Sequence, residues 1–303
     1  MGEKKNSESH RIVIIGLGTG GLYSSRAATR FDRNVEVTVV ERREYDMFSP
    51  CGLPYAIEGL VDSFEDLKHS VPSTRQLKKL LRHEALSIDT EGKRVQVENL
   101  ESEEISWIDY DSLILSTGSH PIILPIPGAK KFLGRGVHVV TNPENAKDLR
   151  DAALKSKKAV VVGGGAIGLE IAFALNELGL EVWVTKRSPP PFPRNLDPDM
   201  GKIIREYLDS KGLHLLFGKG IDSVNGEGHV ESVVIAGETI PTDIVVMAVG
   251  VRPVSELGEK AGLETERGAL LVDKRMETSV KDVYAIGDCA QSFSGVDGKP
   301  SYV

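Results

Sequence analysis

The stretch Gly16-Leu17-Gly18-Thr19-Gly20-Gly21, with its counterpart Gly163-Gly164-Gly165-Ala166-Ile167-Gly168 roughly 147 residues later, decides how this chain folds. Each follows a short β-branched run, Ile12 to Ile15 and Ala159 to Val162, that reads as a buried parallel strand, and each leads into a helical pattern. The glycine spacing has a geometric reason. The first glycine allows a tight turn, the second lets a pyrophosphate approach the backbone, and the third lets helix pack on strand, with the phosphate charge facing a helix N-terminus. Two copies imply two dinucleotide sites.

The flanks strengthen the motif. Val35-Glu36-Val37-Thr38-Val39-Val40-Glu41-Arg42 follows the first copy and Leu180-Glu181-Val182-Trp183-Val184-Thr185-Lys186-Arg187 the second, so strand, turn, helix and strand recur. Glu41 stands 20 residues after Gly21, at a strand end where a carboxylate accepts hydrogen bonds from ribose hydroxyls. The second copy has Lys186 at that place, followed by Arg187. Two cations there suit a 2′-phosphate and point to NADPH, although a solvated turn before the proline-rich stretch Ser188 to Pro193 accounts for the same residues.

Composition sets the frame. The chain has 303 residues, 40% of them hydrophobic, which is enough for two globular domains. Its 37 Lys and Arg against 44 Asp and Glu give a net charge of −7, which disfavours a nucleic-acid partner. The polar start and the short apolar run after it predict neither a leader nor a membrane span, and hence a cytoplasmic protein. Two cysteines, Cys51 and Cys289, are too few for a secreted disulfide framework. No metal site is expected.

The predicted fold is α/β, with two Rossmann-like nucleotide-binding domains, the second inserted into the first. Residues 1–118 form the first domain up to the strand Ser112 to Leu115 and the turn at Thr117 and Gly118. Residues 119–247 form the second, with helices over Pro143 to Lys155 and Asp199 to Lys211 and a hairpin over Val230 to Ile240. Residues 248–303 return to the first, through Gly250-Val251-Arg252-Pro253 and a buried strand ending at Gly287-Asp288. Val71 to Ser87 shows no clear apolar strand before His83.

Taken together, the first fingerprint with Glu41, the Thr117-Gly118 turn, the second fingerprint with Leu169-Glu170, Gly250 to Pro253 and Thr278 to Asp288 resemble the FAD-dependent pyridine-nucleotide disulfide oxidoreductases over nearly the whole chain. The resemblance implies FAD in the first domain and NAD(P)H in the second. The cofactor-binding residues are then Gly16, Gly18, Gly21, Glu41, Arg42, Thr117, Gly118, Gly163, Gly165, Ile167, Gly168, Glu170, Lys186, Arg187, Gly250, Gly287 and Asp288. Glu170 would lie near the nicotinamide, where a first-turn acid favoured by the helix dipole is an equal reading. A simple strand-end turn also accounts for Thr117 and Gly118.

Family members with an internal dithiol carry two cysteines separated by four residues, whereas Ser49-Pro50-Cys51-Gly52-Leu53-Pro54-Tyr55 has one. This resembles the single-cysteine branch of coenzyme A disulfide reductases and NAD(P)H oxidases and peroxidases. By that resemblance Cys51 is the redox nucleophile, and its oxidised form is a mixed disulfide with a small thiol or a sulfenic acid. Arg30 matches a family position that helps to hold coenzyme A phosphates, while Tyr23, Ala27, Met47 and Pro50 depart from the polar contacts of that site. Three readings remain: a disulfide or persulfide reductase, an enzyme reducing oxygen or peroxide, and a non-catalytic flavin electron-transfer or sensor component. The resemblance implies a homodimer whose dimerisation domain would follow the residues after Asp288; the expectation is therefore either a piece of a longer chain or a minimal flavoprotein that closes its flavin site differently.

Overall fold

The computed structural model describes residues 9–188 and 196–302, so most of the proline-rich stretch after Ser188 lies outside the described residues. The chain is α/β, as expected, and divides into two compact units. The first comprises residues up to Met47, Lys68–His120 and residues from Arg252 onward. The second comprises Phe48–Leu67 and Pro121–Val251, and is thus inserted twice into the first.

The first unit is built on a five-stranded parallel sheet in the order Val283–Ala285, Ser112–Leu115, His10–Ile15, Val35–Glu41, Leu77–Leu81. The second unit repeats it with Val137–His138, Ile244–Met247, Lys158–Val162, Glu181–Lys186, His214–Phe217, again all parallel. In both, the fingerprint strand is central. Ile15 lies level with Val40 and Leu115, and Val162 with Thr185 and Met247, so three strands end together beside each glycine turn. A crevice at the carboxyl ends of parallel strands follows from that register.

The strands are apolar almost without interruption because helices and loops cover both faces. Alternation sends successive residues to opposite sides. Ala159 and Val161 join one apolar cluster and Val160 and Val162 the other, just as Val13 and Ile15 separate from Ile14 in the first unit. Each unit also carries a three-stranded antiparallel sheet, His83–Asp89 with Arg94–Asn99 and Ile105–Asp109, and Ile221–Asn225 with Ser232–Ile235 and Glu238–Pro241. The expected hairpin turns at Ala236 and Gly237, both at positive φ (50° and 81°), the backbone a two-residue turn requires.

Two features depart from what the sequence suggests. Leu77–Leu81 is a strand, pairing from Val37 to Glu41 on the sheet edge. Lys78 and Lys79 hide it in the sequence. Lys78 is exposed, whereas Lys79 pairs with both oxygens of buried Asp46 at 2.8 and 2.7 Å and donates to the Val71 carbonyl. Neutralised in this way, a lysine can occupy a strand. The second feature is the Cys51 segment. Leu53, Ala56 and Ile57 of helix Leu53–Glu58 share a buried cluster with Leu149 and with Leu169, Ile171 and Leu175 of the second fingerprint helix, Ala166–Glu177. The segment therefore packs as part of the second unit.

Candidate functional site

The first glycine turn is closed where backbone crosses backbone and open where a ligand would lie. Gly16 has φ +95°, and a Cβ there would stand 2.2 Å from the Ser116 carbonyl oxygen. At Gly21 it would stand 2.0 Å from the Gly16 carbonyl oxygen, so the helix rests directly on the turn. At Gly18, the N-cap of helix Thr19–Phe31, nothing lies within 4 Å of the same position. This cradle, at a helix N-terminus whose first N–H groups lack helical partners, fits a pyrophosphate.

Beside it, Glu41 is buried at the end of its strand and its carboxylate is heavily bonded. Oε1 accepts from the Arg43 N–H and Nε, both at 2.9 Å. Oε2 accepts from the Leu17 N–H and Arg43 Nη2, both at 2.7 Å. Arg43 Nη2 also faces the Leu17 carbonyl at 3.2 Å and the Asp46 carbonyl at 3.1 Å. Arg42, singled out in the sequence, is exposed. Sequence reasoning missed Arg43. The available signal was parity, since two residues beyond a buried strand-end acid a side chain returns to the same side.

The second turn repeats the first. Gly163 has φ +129° with a Cβ 2.0 Å from the Ala248 carbonyl oxygen, Gly168 would place one 2.2 Å from the Gly163 carbonyl oxygen, and Gly165 opens onto free space as N-cap of Ala166–Glu177. These glycines line a cleft of about 940 Å³ together with Ile167, Lys186, Arg187 and Gly250. Partial burial pulls the Lys186 ammonium below its usual value, and its Cδ runs past Gly164, 3.0 Å from where a Cβ would stand. Arg187 is exposed. Glu170 is exposed as well and does not line the cleft. Gly250, at φ +112°, bends the chain away from the end of strand Ile244–Met247.

Cys51 is exposed in the short 3-10 turn Pro50–Gly52, which runs straight into helix Leu53–Glu58. The turn is fixed by the Ser49 N–H donating to the Leu67 carbonyl (2.9 Å) and by Gly52, where a Cβ would strike Leu67 Cδ2 at 2.4 Å. Cys289 is buried in the first unit, its thiol directed at the Leu115 and Ile286 carbonyls, and both cysteines are free. In the first unit Thr117 Oγ1 donates to the Val254 carbonyl (2.5 Å), Gly118 has φ +74°, and Gly287 has φ +72°. Asp288 is exposed and accepts from Ser119 Oγ at 2.9 Å. Arg30 is exposed in the last turn of helix Thr19–Phe31. Among the described residues no cluster of His, Cys, Asp and Glu could hold a metal ion, and no helix is long and apolar enough to cross a membrane.

Two parallel-sheet units, each with a glycine cradle where central strands end together, define a Rossmann-type protein of the FAD/NAD-binding class. Residues 10–301 match the pyridine nucleotide-disulphide oxidoreductases, and the chain belongs to that family. It is 34% identical over 295 residues to an NADH oxidase of Methanocaldococcus jannaschii, covering 95% of this chain and 65% of that protein. It is 31% identical to the CoA-dependent NAD(P)H sulfur oxidoreductase of Pyrococcus furiosus, covering 98% of this chain and 66% of that one. The structure of a NAD-dependent persulfide reductase from A. fulgidus superposes with a TM-score of 0.89 at 33% identity, covering 97% of this chain and 56% of that chain. The chain thus spans slightly under two thirds of the length of these two curated relatives.

Proposed function

We propose that this chain is a two-electron oxidoreductase holding FAD in its first unit and NAD(P)H, with NADPH favoured, in its second, with Cys51 as the nucleophile that reduces a small disulfide such as coenzyme A disulfide or a persulfide. The observation that carries this reading is the pair of glycine cradles whose strand ends bear opposite charge, buried Glu41 in one and Lys186 with Arg187 in the other. A carboxylate accepts from ribose hydroxyls and repels a 2′-phosphate, whereas two cations attract one. When bound, FAD takes a hydride from the reduced nicotinamide and passes two electrons onward.

The chain's own groups divide the work. Leu17 and Glu41 fix the ribose of the first dinucleotide, and the open Gly18 backbone receives its pyrophosphate. Thr117, Gly118, Gly287 and Asp288 approach the same cofactor from neighbouring strand ends. The second cleft holds the reduced nucleotide on Gly163, Gly165 and Gly168. Cys51 lies in the 3-10 turn Pro50–Gly52 that leads into helix Leu53–Glu58, and is exposed to an incoming disulfide. Its sulfur attacks one sulfur of the disulfide and releases one thiol; two electrons then cleave the mixed disulfide and release the second. The balance is one disulfide, one NADPH and one proton giving two thiols and NADP+. Arg30, exposed on its helix, is the candidate contact for coenzyme A phosphates.

A second reading, reduction of oxygen or peroxide through a Cys51 sulfenic acid, is favoured by the exposure of Cys51 and by the relative named NADH oxidase.

Anaerobic titration with NADPH tests the scheme. Uptake of about two hydride equivalents per flavin is expected, with release of a thiol; uptake of one, or no bound flavin, overturns it. Lys186→Glu is expected to lower the NADPH:NADH ratio of kcat/KM by about tenfold or more, equivalent to about 1.4 kcal/mol. An unchanged ratio removes the NADPH assignment. Coenzyme A disulfide and peroxide compared as acceptors separate the two readings.

A further inference from the structure

Arg43 lies among the groups around Glu41, bonds Tyr45 as well, and its Nη2 faces more acceptors than it has hydrogens. An Nη nitrogen of a guanidinium carries two hydrogens. Arg43 Nη2 has three acceptors within reach: Glu41 Oε2 at 2.7 Å, the Leu17 carbonyl at 3.2 Å and the Asp46 carbonyl at 3.1 Å. Losing Glu41 Oε2 would leave both hydrogens bonded. On the other side of the carboxylate, Oε1 has both its contacts from Arg43, through the backbone N–H and Nε, and nothing else replaces them. The two oxygens therefore differ: Oε1 is fixed, while Oε2 is held by one permanent donor, the Leu17 N–H, and one that can leave without being orphaned.

From this asymmetry we infer that Arg43 is a positioning residue for the first dinucleotide: it clamps Glu41 through Oε1 and yields Oε2 to a ribose hydroxyl, which takes the place of Nη2 when FAD binds. The inference rests on the assignment of FAD to the first unit. The exchange balances in hydrogen bonds. One charge-assisted bond from Nη2 is replaced by one from the hydroxyl, and Nη2 falls back on the Leu17 and Asp46 carbonyls. Those carbonyls tie it to the glycine turn and to the loop after the strand. Asp46 is itself buried and held by Lys79 and the Val71 N–H, so the clamp is anchored at its far end. Arg43 also lies over the Tyr45 ring, 5.2 Å from its centroid. The exposed Arg42 has no place in this arrangement.

The test is binding, not turnover. Flavin is stripped from the purified protein, and the Kd values for FAD and for FMN, which lacks the adenosine, are measured by fluorescence quenching for wild type, Arg43→Met, Arg43→Lys, Glu41→Gln and the Arg43→Met/Glu41→Gln double variant. Arg43→Met is expected to weaken FAD about tenfold or more and leave FMN within about twofold. Arg43→Lys, which keeps the charge but not the fork, is expected to fall between. In the Glu41→Gln background, Arg43→Met is expected to have little further effect, because the two act as one unit. If Glu41→Gln weakens FAD but Arg43→Met and Arg43→Lys do not, the positioning role is wrong while the FAD assignment stands. If Glu41→Gln leaves FAD binding unchanged, the FAD assignment at this acid and the positioning role fall together. If FAD and FMN weaken equally in both Arg43 variants, Arg43 is merely structural. Should Arg43→Met not fold, Arg43→Lys against FAD and FMN decides alone.

Discussion

At the scale of single residues, the glycines of one fingerprint do different work. A methyl group at Gly21 would meet the Gly16 carbonyl at 2.0 Å, and a backbone carbonyl in a tight turn cannot give way. Gly21→Ala is therefore expected to destabilise the protein by about 2–3 kcal/mol, seen as a lowered Tm even without flavin. A methyl group at Gly18 meets nothing within 4 Å, and Gly18 has an ordinary φ of −78°. Gly18→Ala should change the Tm of flavin-free protein little, costing under about 1 kcal/mol, while weakening FAD by filling the space the pyrophosphate needs. Equal loss of stability in the two variants would show that the open space at Gly18 is not reserved for a ligand. The glycine spacing was legible in the sequence because it records local backbone geometry. Arg43 was harder to read, because adjacent Arg42 is the same residue type and only strand parity and the distant Leu17 tell the two apart.

At the scale of elements, the edge strand Leu77–Leu81 shows how a charge escapes a pattern-based reading. Leu-Lys-Lys-Leu-Leu lacks the unbroken apolar run of a buried parallel strand. The strand forms because it lies at an edge, with Lys78 exposed and Lys79 neutralised by Asp46, whose side chain is 4% exposed. Removing one partner of a buried pair leaves the other charge uncompensated. Lys79→Met is thus expected to cost about 3 kcal/mol in urea unfolding, and Lys78→Met less than about 0.5 kcal/mol. Equal effects would refute the pairing as the reason the strand holds. Helix Leu53–Glu58 illustrates the converse. Its Leu53, Ala56 and Ile57 do not by sequence alone reveal which apolar cluster they enter.

At the scale of the molecule, stability should fall on mild acidification through a residue outside the nucleotide sites. His138, on the edge strand Val137–His138, is buried, and its Nε2 has no hydrogen-bond partner. Burial pulls its imidazole below the usual value of 6.5, against a smaller opposing pull from Asp148. The unfolded chain thus binds a proton that the folded chain refuses, so this contribution is complete above about pH 6.5 and is lost as pH falls below it, with a limiting slope of about 1.4 kcal/mol per pH unit. His138→Leu is expected to flatten the decline in unfolding free energy between pH 7.5 and pH 5.5; an unchanged slope would assign the acid sensitivity to other groups. The sequence by itself determined the two fingerprints, the strands that carry them, their order and the acidic and basic strand ends, because each is written in residues adjacent along the chain. Only the tertiary structure decided that Arg43 rather than Arg42 meets Glu41, that Lys79 pairs with Asp46 and that the Cys51 helix packs with the second unit. The Lys79 pair and the apolar contacts of the Cys51 helix join residues far apart along the chain, while the choice of Arg43 over Arg42 turns on which side of the strand end each side chain leaves; burial then sets what each contact is worth.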